Sequence, residues 1–527
     1  MKRKIFLKIS MAIIAIVLVF LLSVKVFVEP WAKKKIQTAF NANSDNYLVK
    51  IEKVHISILK SGIELENITL FSKQEYGGFP NLTGEMVSIN FKGIKLLKVI
   101  FKKDINIHEV SIFNTRIVGK MPFQKKARAP KVSSLNISID NLFFDKLVVE
   151  IQDASTPQAY SIKDGVLKVY DLQVEKLDTL SLNIIKHFDF DVQELREVLP
   201  DSMYTLTVTG INYSATSNTL SASNFSIQPN YTDYEFSARH KFEIDRIEAG
   251  FSQISFHDFS AAEYIQSGNL ISSFIEIGEM DMKIFRDNRK VSEHVNKPAF
   301  QDMIYNYPGT INIDSIGILS GNITYTEHVE KATAPGMISF SKLNALIYKI
   351  TNDTIYKTRK AYTGFKAEAL LMGKAKITTI LKGRLFDRQN TFEVNGSLSG
   401  MDANELNPLL EKIAFMSVTS GKIDAMNFSF TANNTKATGQ MNLLYHRLNV
   451  AFKNKRTDKT TAINERVKSL IANMEVLDSN PMPGKEVRVG IIDYQRNPEK
   501  FLFSYCAKSL MSGIKSGIIK DIKGKTK

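Results

Sequence analysis

Between about Val49 and Phe452, apolar and polar positions alternate in short runs punctuated by Gly, Asn, Asp and Ser. A period of two sends successive side chains to opposite faces, so this stretch predicts sheet. Within it an eight-residue pattern, apolar-x-apolar-x-x-apolar-x-apolar, occurs six times. The copies are Ile63, Leu65, Ile68 and Leu70; Ile105, Ile107, Val110 and Ile112; Ile137, Ile139, Leu142 and Phe144; Phe242, Ile244, Ile247 and Ala249; Ile275, Ile277, Met280 and Met282; and Ile311, Ile313, Ile316 and Ile318. In a regular strand a step of three turns the second apolar pair to the other face. Keeping all four together requires an extra residue at the x-x position, a β-bulge that bends and twists the strand. Many such strands in series predict an elongated, curled antiparallel sheet, a trough with one apolar face. The same faces suit the closed cores of several β-sandwiches, the reading that periodicity alone favours over the trough. A membrane barrel fits less well, because helical segments stand at both ends of the chain.

A few helices are predicted around and within the sheet. Phe190 to Leu199, with early acids and Pro200 behind it, is one, and Pro298 to Tyr307 is another. Asp402 followed by Glu405 is an N-cap signature for a helix carrying Leu406, Leu409, Leu410 and Ile413. Ala462 to Leu477 places Ile463, Val467, Leu470, Ile471 and Met474 on one stripe, and a loop with Pro481, Pro483 and Gly484 follows. In the tail, Phe503, Cys506, Leu510, Ile514 and Ile518 fall at helical spacing. Such a helix either lies on a membrane through Phe503, Leu510, Ile514 and Ile518 or caps the open end of the sheet.

The run from Ile9 to Val24 is apolar or small throughout and includes Ile9, Ile13, Ile14, Ile16, Val17, Leu18, Phe20, Leu21 and Leu22. With Lys8 and Lys25 snorkelling, it reaches the roughly 20 residues that a bilayer requires. No small-x-small cleavage site follows it, so an uncleaved single-pass anchor is expected. Lys2, Arg3, Lys4 and Lys8 precede it, which favours a cytoplasmic N-terminus and a periplasmic body, with Trp31 at the outer interface.

Charge sharpens this picture. The net charge is +15, but residues 1–35 hold eight bases against Glu29 alone, and residues 508–527 hold six against Asp521 alone. The remaining +3 is too little to imply a polyanion-binding body; basic ends beside apolar helices fit anionic lipid head groups. The single cysteine, Cys506, excludes an internal disulfide and a multi-cysteine zinc site. The eight histidines are scattered without a metal-binding spacing. His257-Asp258 with Ser260 has triad residue types, yet neighbours on a strand point apart. His328 beside Glu327 and Glu330 is a metal corner or a solvated loop, and Arg286-Asp287-Asn288-Arg289 is a salt-bridged turn or a phosphate contact. No catalytic residue, cofactor or metal is assigned, and the chain is not expected to be an enzyme.

The segment Val394 to Phe452, with Gly396, Leu398, Asn407-Pro408, Ser420-Gly421, Phe430, Gly439, Tyr445 and Leu448, resembles the carboxy-terminal region of the AsmA-like family of bacterial envelope proteins. Val87 to Val118, with Leu96-Leu97 before Ile105 and Ile107, resembles it too. Phe285-Arg286-Asp287 and Gly321-Asn322-Ile323-Thr324-Tyr325 with Glu327 are similar to Bacteroidota members of the group. The resemblance implies an inner-membrane-tethered β-groove that carries phospholipid toward the outer membrane. It raises the trough above the sandwich, and about 20 strands at about 4.8 Å would make it on the order of 100 Å long. The expected layout is a cytoplasmic tail (1–8), transmembrane anchor (9–28), linker helix (29–45), repetitive sheet (46–393), AsmA-like region (394–453) and helical tail (454–527). The lipid-facing residues expected are those of the first, second, fifth and sixth copies, without Met280 and Met282, together with Ile137 and Ile139. Expected partners are phospholipid, the inner membrane and outer-membrane or periplasmic proteins, with no nucleic acid. The competing reading is a non-transporting envelope scaffold with closed cores.

Overall fold

The computed structural model describes residues 22–43, 47–57, 61–73, 81–94, 104–121, 136–174, 185–357, 361–452 and 476–519. The protein is mainly β. Two compact units divide it, Met1–Ser223 with Ser260–Gln266 and Asn224–Phe259 with Ser267–Lys527.

The first unit opens with a π-helical turn, Val24–Val28, running into α1 (Glu29–Asn43). Eight strands follow: β1 (Tyr47–Ser57), β2 (Gly62–Ser72), β3 (Asn81–Lys92), β4 (Asp104–Met121), β5 (Asn136–Asp153), β6 (Ala159–Val174), β7 (His187–Val198) and β8 (Tyr204–Ser214). They pair in chain order, antiparallel except for the parallel pair β4 and β5. The helix expected over Phe190 to Leu199 is therefore strand β7. Its Phe188, Val192 and Leu195 mix steps of four and three, which counterfeits helical spacing.

The bulge expected at each x-x position takes an unexpected form. Ile51 pairs with Ile68 and Lys53 with Glu66, so register is kept while Glu52 and Asn67 drop out of the ladder together. Asn67 has φ +51°, in the left-handed region where Asn is one of the better-tolerated residues. The gap continues strand by strand through Val87, Asn114, Lys146, Asp164, Gln193 and Gly210. Asn114, Lys146, Asp164 and Gly210 also have positive φ, and every residue of this row is exposed. Apolar residues flanking the row sit three apart on the same face, as with Ile51 and Val54, Leu65 and Ile68, or Phe144 and Leu147. A row of matched kinks thus runs across β1 to β8, with a true register shift only between β5 and β6.

β9 (Thr219–Pro229) is divided between the units. The second unit adds α2 (Asp233–Ala238), β10 (Asp245–His257), β11 (Leu270–Asn288), α4 (Phe300–Tyr305), β12 (Ile311–Val329) and β13 (Gly336–Thr351), while α3 (Ala261–Ser267) falls mostly in the first unit. Next come β14 (Tyr362–Leu371), β15 (Ala375–Arg384), β16 (Phe392–Leu398), β17 (Met401–Asp402), α5 (Asn407–Ile413), β18 (Met416–Ala432), β19 (Lys436–Phe452), β20 (Val489–Gln495) and α6 (Leu502–Ile518). Pairing is antiparallel except between β11 and β12. Kinks recur here: Gln253 (φ +51°) stands opposite Gly278, and Asp314 stands opposite Lys349 (φ +54°), both outside the ladder. Phe242 and Ile244 precede β10, so the fourth copy of the pattern is only half strand. The helix expected over Ala462 to Leu477 lies outside the described residues up to 475, and Val476 forms an isolated bridge with Ile519.

Candidate functional site

The site is the apolar face itself. In the first unit α1 covers its beginning: Ala32 and Ile36 pack on Ile51, Val54, Leu65 and Ile68, with Ile63 and Leu70 partly buried around them. The same helix closes the edge of β1. Glu29, Lys33, Gln37 and Asn41, four residues apart, form hydrogen bonds to the backbone of Ile56, Glu52, Ile51 and Val49. An edge strand's free donors and acceptors are thereby satisfied within the chain.

Beyond β3 the apolar face is less evenly buried among the described residues. Ile107 and Val110 are buried, whereas Ile112, Ile137, Ile139, Leu142 and Phe144 are only partly so. The parallel register stacks the second and third copies of the pattern rung on rung, Ile107 beside Ile139, Val110 beside Leu142 and Ile112 beside Phe144. Ile105 aligns with Ile137 in the backbone, and its side chain lies outside the described residues. β5 continues the face past a second kink with Leu147, Val149 and Ile151. Among the described residues no helix packs extensively on β4 to β7, and β6 to β8 bury Val169, Leu172, Phe188 and Tyr213, whose hydroxyl accepts from the Ala261 amide of α3.

In the second unit Ile275 and Ile313 are buried with Ile304 of α4 and Ile350, and Ile311 and Ile316 pack around them. Ile277 and Ile318 are partly buried. The C-terminal part is a closed core in which Leu381, Val394, Phe428, Phe430 and Met441 pack together. Leu510, Ile514 and Ile518 of α6 lie against it, while Phe503, expected on the same face, is 63% exposed. The buried stripe of α6 is instead Tyr505, Ser509, Gly513 and Gly517, one turn apart. Small residues let backbones approach closely: a Cβ added to Gly490 of β20 would stand 2.3 Å from the Gly513 carbonyl oxygen. Helical spacing thus placed Cys506, Leu510, Ile514 and Ile518 on the face that meets the core, and missed the small residues at its centre because it weighted large apolar ones.

The polar candidates are held by structural partners. Arg286 is bidentate to Asp245 at 2.7 and 2.6 Å, and that carboxylate holds its pKa above the ordinary arginine value despite burial. Arg289 pairs with Asp287 at 2.7 Å, which keeps that carboxyl below its usual range. His328 is buried, with Nδ1 2.9 Å from the Tyr234 hydroxyl and Nε2 3.0 Å from the Ala332 carbonyl. Nε2 therefore donates, and both ring nitrogens are engaged. His257 stacks on Phe274, and Asp258 accepts from Ser273, so neither faces a triad partner. Among the described residues no cluster of three or more His, Cys, Asp or Glu forms a metal site.

Of the anchor residues, Ile9, Ile13, Ile14, Ile16, Val17, Leu18, Phe20 and Leu21 lie outside the described residues, and Leu22 is helical and 67% exposed. Among the described residues no helix is long and apolar enough to cross a membrane. No protein-family model and no curated protein matches the chain.

Proposed function

We propose that this chain is a membrane-anchored envelope protein of the AsmA-like type that binds phospholipid along its apolar face and conducts it between the inner and outer membranes. Acyl chains lie against the strands, while head groups stay in water beyond the sheet edge. The observation that carries this reading is the partly exposed run of Ile112, Ile137, Ile139, Leu142 and Phe144, which no helix among the described residues covers extensively. A contiguous apolar face of this kind on a folded protein marks a surface that another apolar body covers. The uninterrupted apolar run from Ile9 to Val24 supports the tether. The mechanism needs no bond chemistry, only burial of methylenes at about 0.8 kcal/mol each.

The closed core under α6 favours the second reading, an envelope scaffold, for the C-terminal strands. Titrating the full chain in detergent with a phosphatidylethanolamine carrying a nitrobenzoxadiazole on its acyl chain separates the two. Conduction predicts a blue-shifted emission that saturates; a scaffold leaves the emission where detergent alone puts it.

A further inference from the structure

β11 and β12 run parallel from Leu270 beside Ile311 to Asn288 beside Val329. The chain leaving Asn288 must therefore travel back the whole strand length before β12 begins. At about 3.3 Å per residue that distance is about 60 Å. Residues 289–310, including the single turn-and-a-half of α4, reach about 65 Å at full stretch. The link is a strap with little slack.

Its route is fixed by contacts at both ends and the middle. Val291 accepts from the Glu243 amide at 3.0 Å, the Lys297 amide donates to Pro498 at 2.8 Å, and Tyr307 donates to the Gly268 carbonyl at 2.9 Å. Between them Phe300 and Ile304 press on Ile275, Ile313 and Ile350. Asp302 on the same short helix accepts from the Asn390 amide at 3.0 Å. Outward, Met303 and Tyr305 are 56% and 63% exposed.

We propose that residues 289–310 form a displaceable strap that occupies the apolar face of β11 to β13, and that a lipid chain reaches this face only when α4 lifts. The proposal rests on the lipid-binding reading above. A helix of six residues has no stability of its own. Between its ends, held at Val291, Lys297 and Tyr307, α4 stays down through Phe300 and Ile304, the Tyr305–Phe386 ring contact and the Asp302–Asn390 latch, a charge-assisted bond across to a different loop. Segments with few buried contacts and exposed outer faces open first. The strap thus makes the apolar face of β11 to β13 a gated one within the second unit.

Asn390 has φ +50°, so Asn390→Gly removes the latch, together with the same amide's 3.1 Å bond to Asn434, without backbone strain. The photo-crosslinking amino acid p-benzoylphenylalanine is placed in the full chain at Ile139, on the uncovered face, or at Ile316, beside the strap's footprint. Irradiation in vesicles of phosphatidylethanolamine and phosphatidylglycerol is followed by counting lipid adducts. The strap predicts strong labelling at Ile139, weak labelling at Ile316, and a rise of about tenfold at Ile316 in Asn390→Gly, the effect of about 1.4 kcal/mol on opening. Equal labelling at both positions in the parent, or no rise in the variant, overturns the strap while leaving lipid binding intact. No labelling at Ile139 overturns the lipid reading and the strap with it.

Discussion

Asn41 completes both backbone hydrogen bonds of Val49: its Oδ1 accepts from the Val49 amide at 2.7 Å and its Nδ2 donates to the Val49 carbonyl at 3.2 Å. A side-chain amide thus mimics the strand that β1 lacks. Gln37, one turn earlier, supplies one such bond, accepting from the Ile51 amide at 3.2 Å. Edges left open recruit other strands. Gln37→Leu with Asn41→Leu is expected to cost about 1 kcal/mol per lost bond and to dimerise the chain through β1. Light scattering after size exclusion in detergent checks this; a monomeric double variant would show that the edge needs no protection.

The kink row makes a second prediction. Lys146 is exposed with φ +53°, a conformation that a β-branched residue adopts at a cost of about 1–2 kcal/mol. Lys146→Val should lower the denaturation midpoint, and Lys146→Gly should leave it unchanged or raise it. If valine is tolerated as well as glycine, the left-handed kink does not govern the folding of β5.

The kinks were half legible in the sequence. A step of three between apolar pairs located Asn67, Asp140, Gly278 and Asp314 at or beside a gap in the ladder. The sequence alone could not show that the facing strand kinks at the same level, because matching is a property of register. Side chains often seal the gaps: Asn67 donates to Glu52 at 2.8 Å, and Lys349 to Asp314 at 2.7 Å. The same step misled at β7, where Val192 and Leu195 flank Gln193 of the row and so read as one face of a helix. The two parallel pairs, and hence the strap, carry no sequence signal, since a link's path depends on which strand it rejoins. Along the apolar face, membership was legible from periodicity, but cover was not: α1 and α4 contribute only Ala32, Ile36, Phe300 and Ile304 to it.

The close contact of α6 with β20 gives the third prediction. Gly490→Ala forces backbone apart at Gly513, an overpacking cost of about 1–3 kcal/mol. Cys506 reports on it, because burial pushes its thiol up to about 12 and keeps the thiolate scarce. Maleimide labelling at pH 8 should be slow in the parent and at least about tenfold faster in the variant, matching about 1.4 kcal/mol of opening. Equal rates would mean that α6 is not held by this contact. The raised thiol also sets a pH trend. Its contribution to stability is whole below the unfolded value of about 8.5 and declines as pH rises from there toward 12, since only the unfolded chain ionises in that window. A Cys506→Ala variant should lose that part of the alkaline destabilisation.

The central claim is that the partly exposed face of β4 and β5 holds lipid. The most direct measurement is mass spectrometry of lipids that remain with the full chain after gentle detergent extraction, set against Ile139→Asp with Leu142→Asp. Both substitutions place carboxylates on the partly exposed face without entering the covered core. The account predicts phospholipid at one or more molecules per parent chain and its loss in a variant with unchanged circular dichroism. A folded parent without lipid, or a variant that retains as much as the parent, would contradict it.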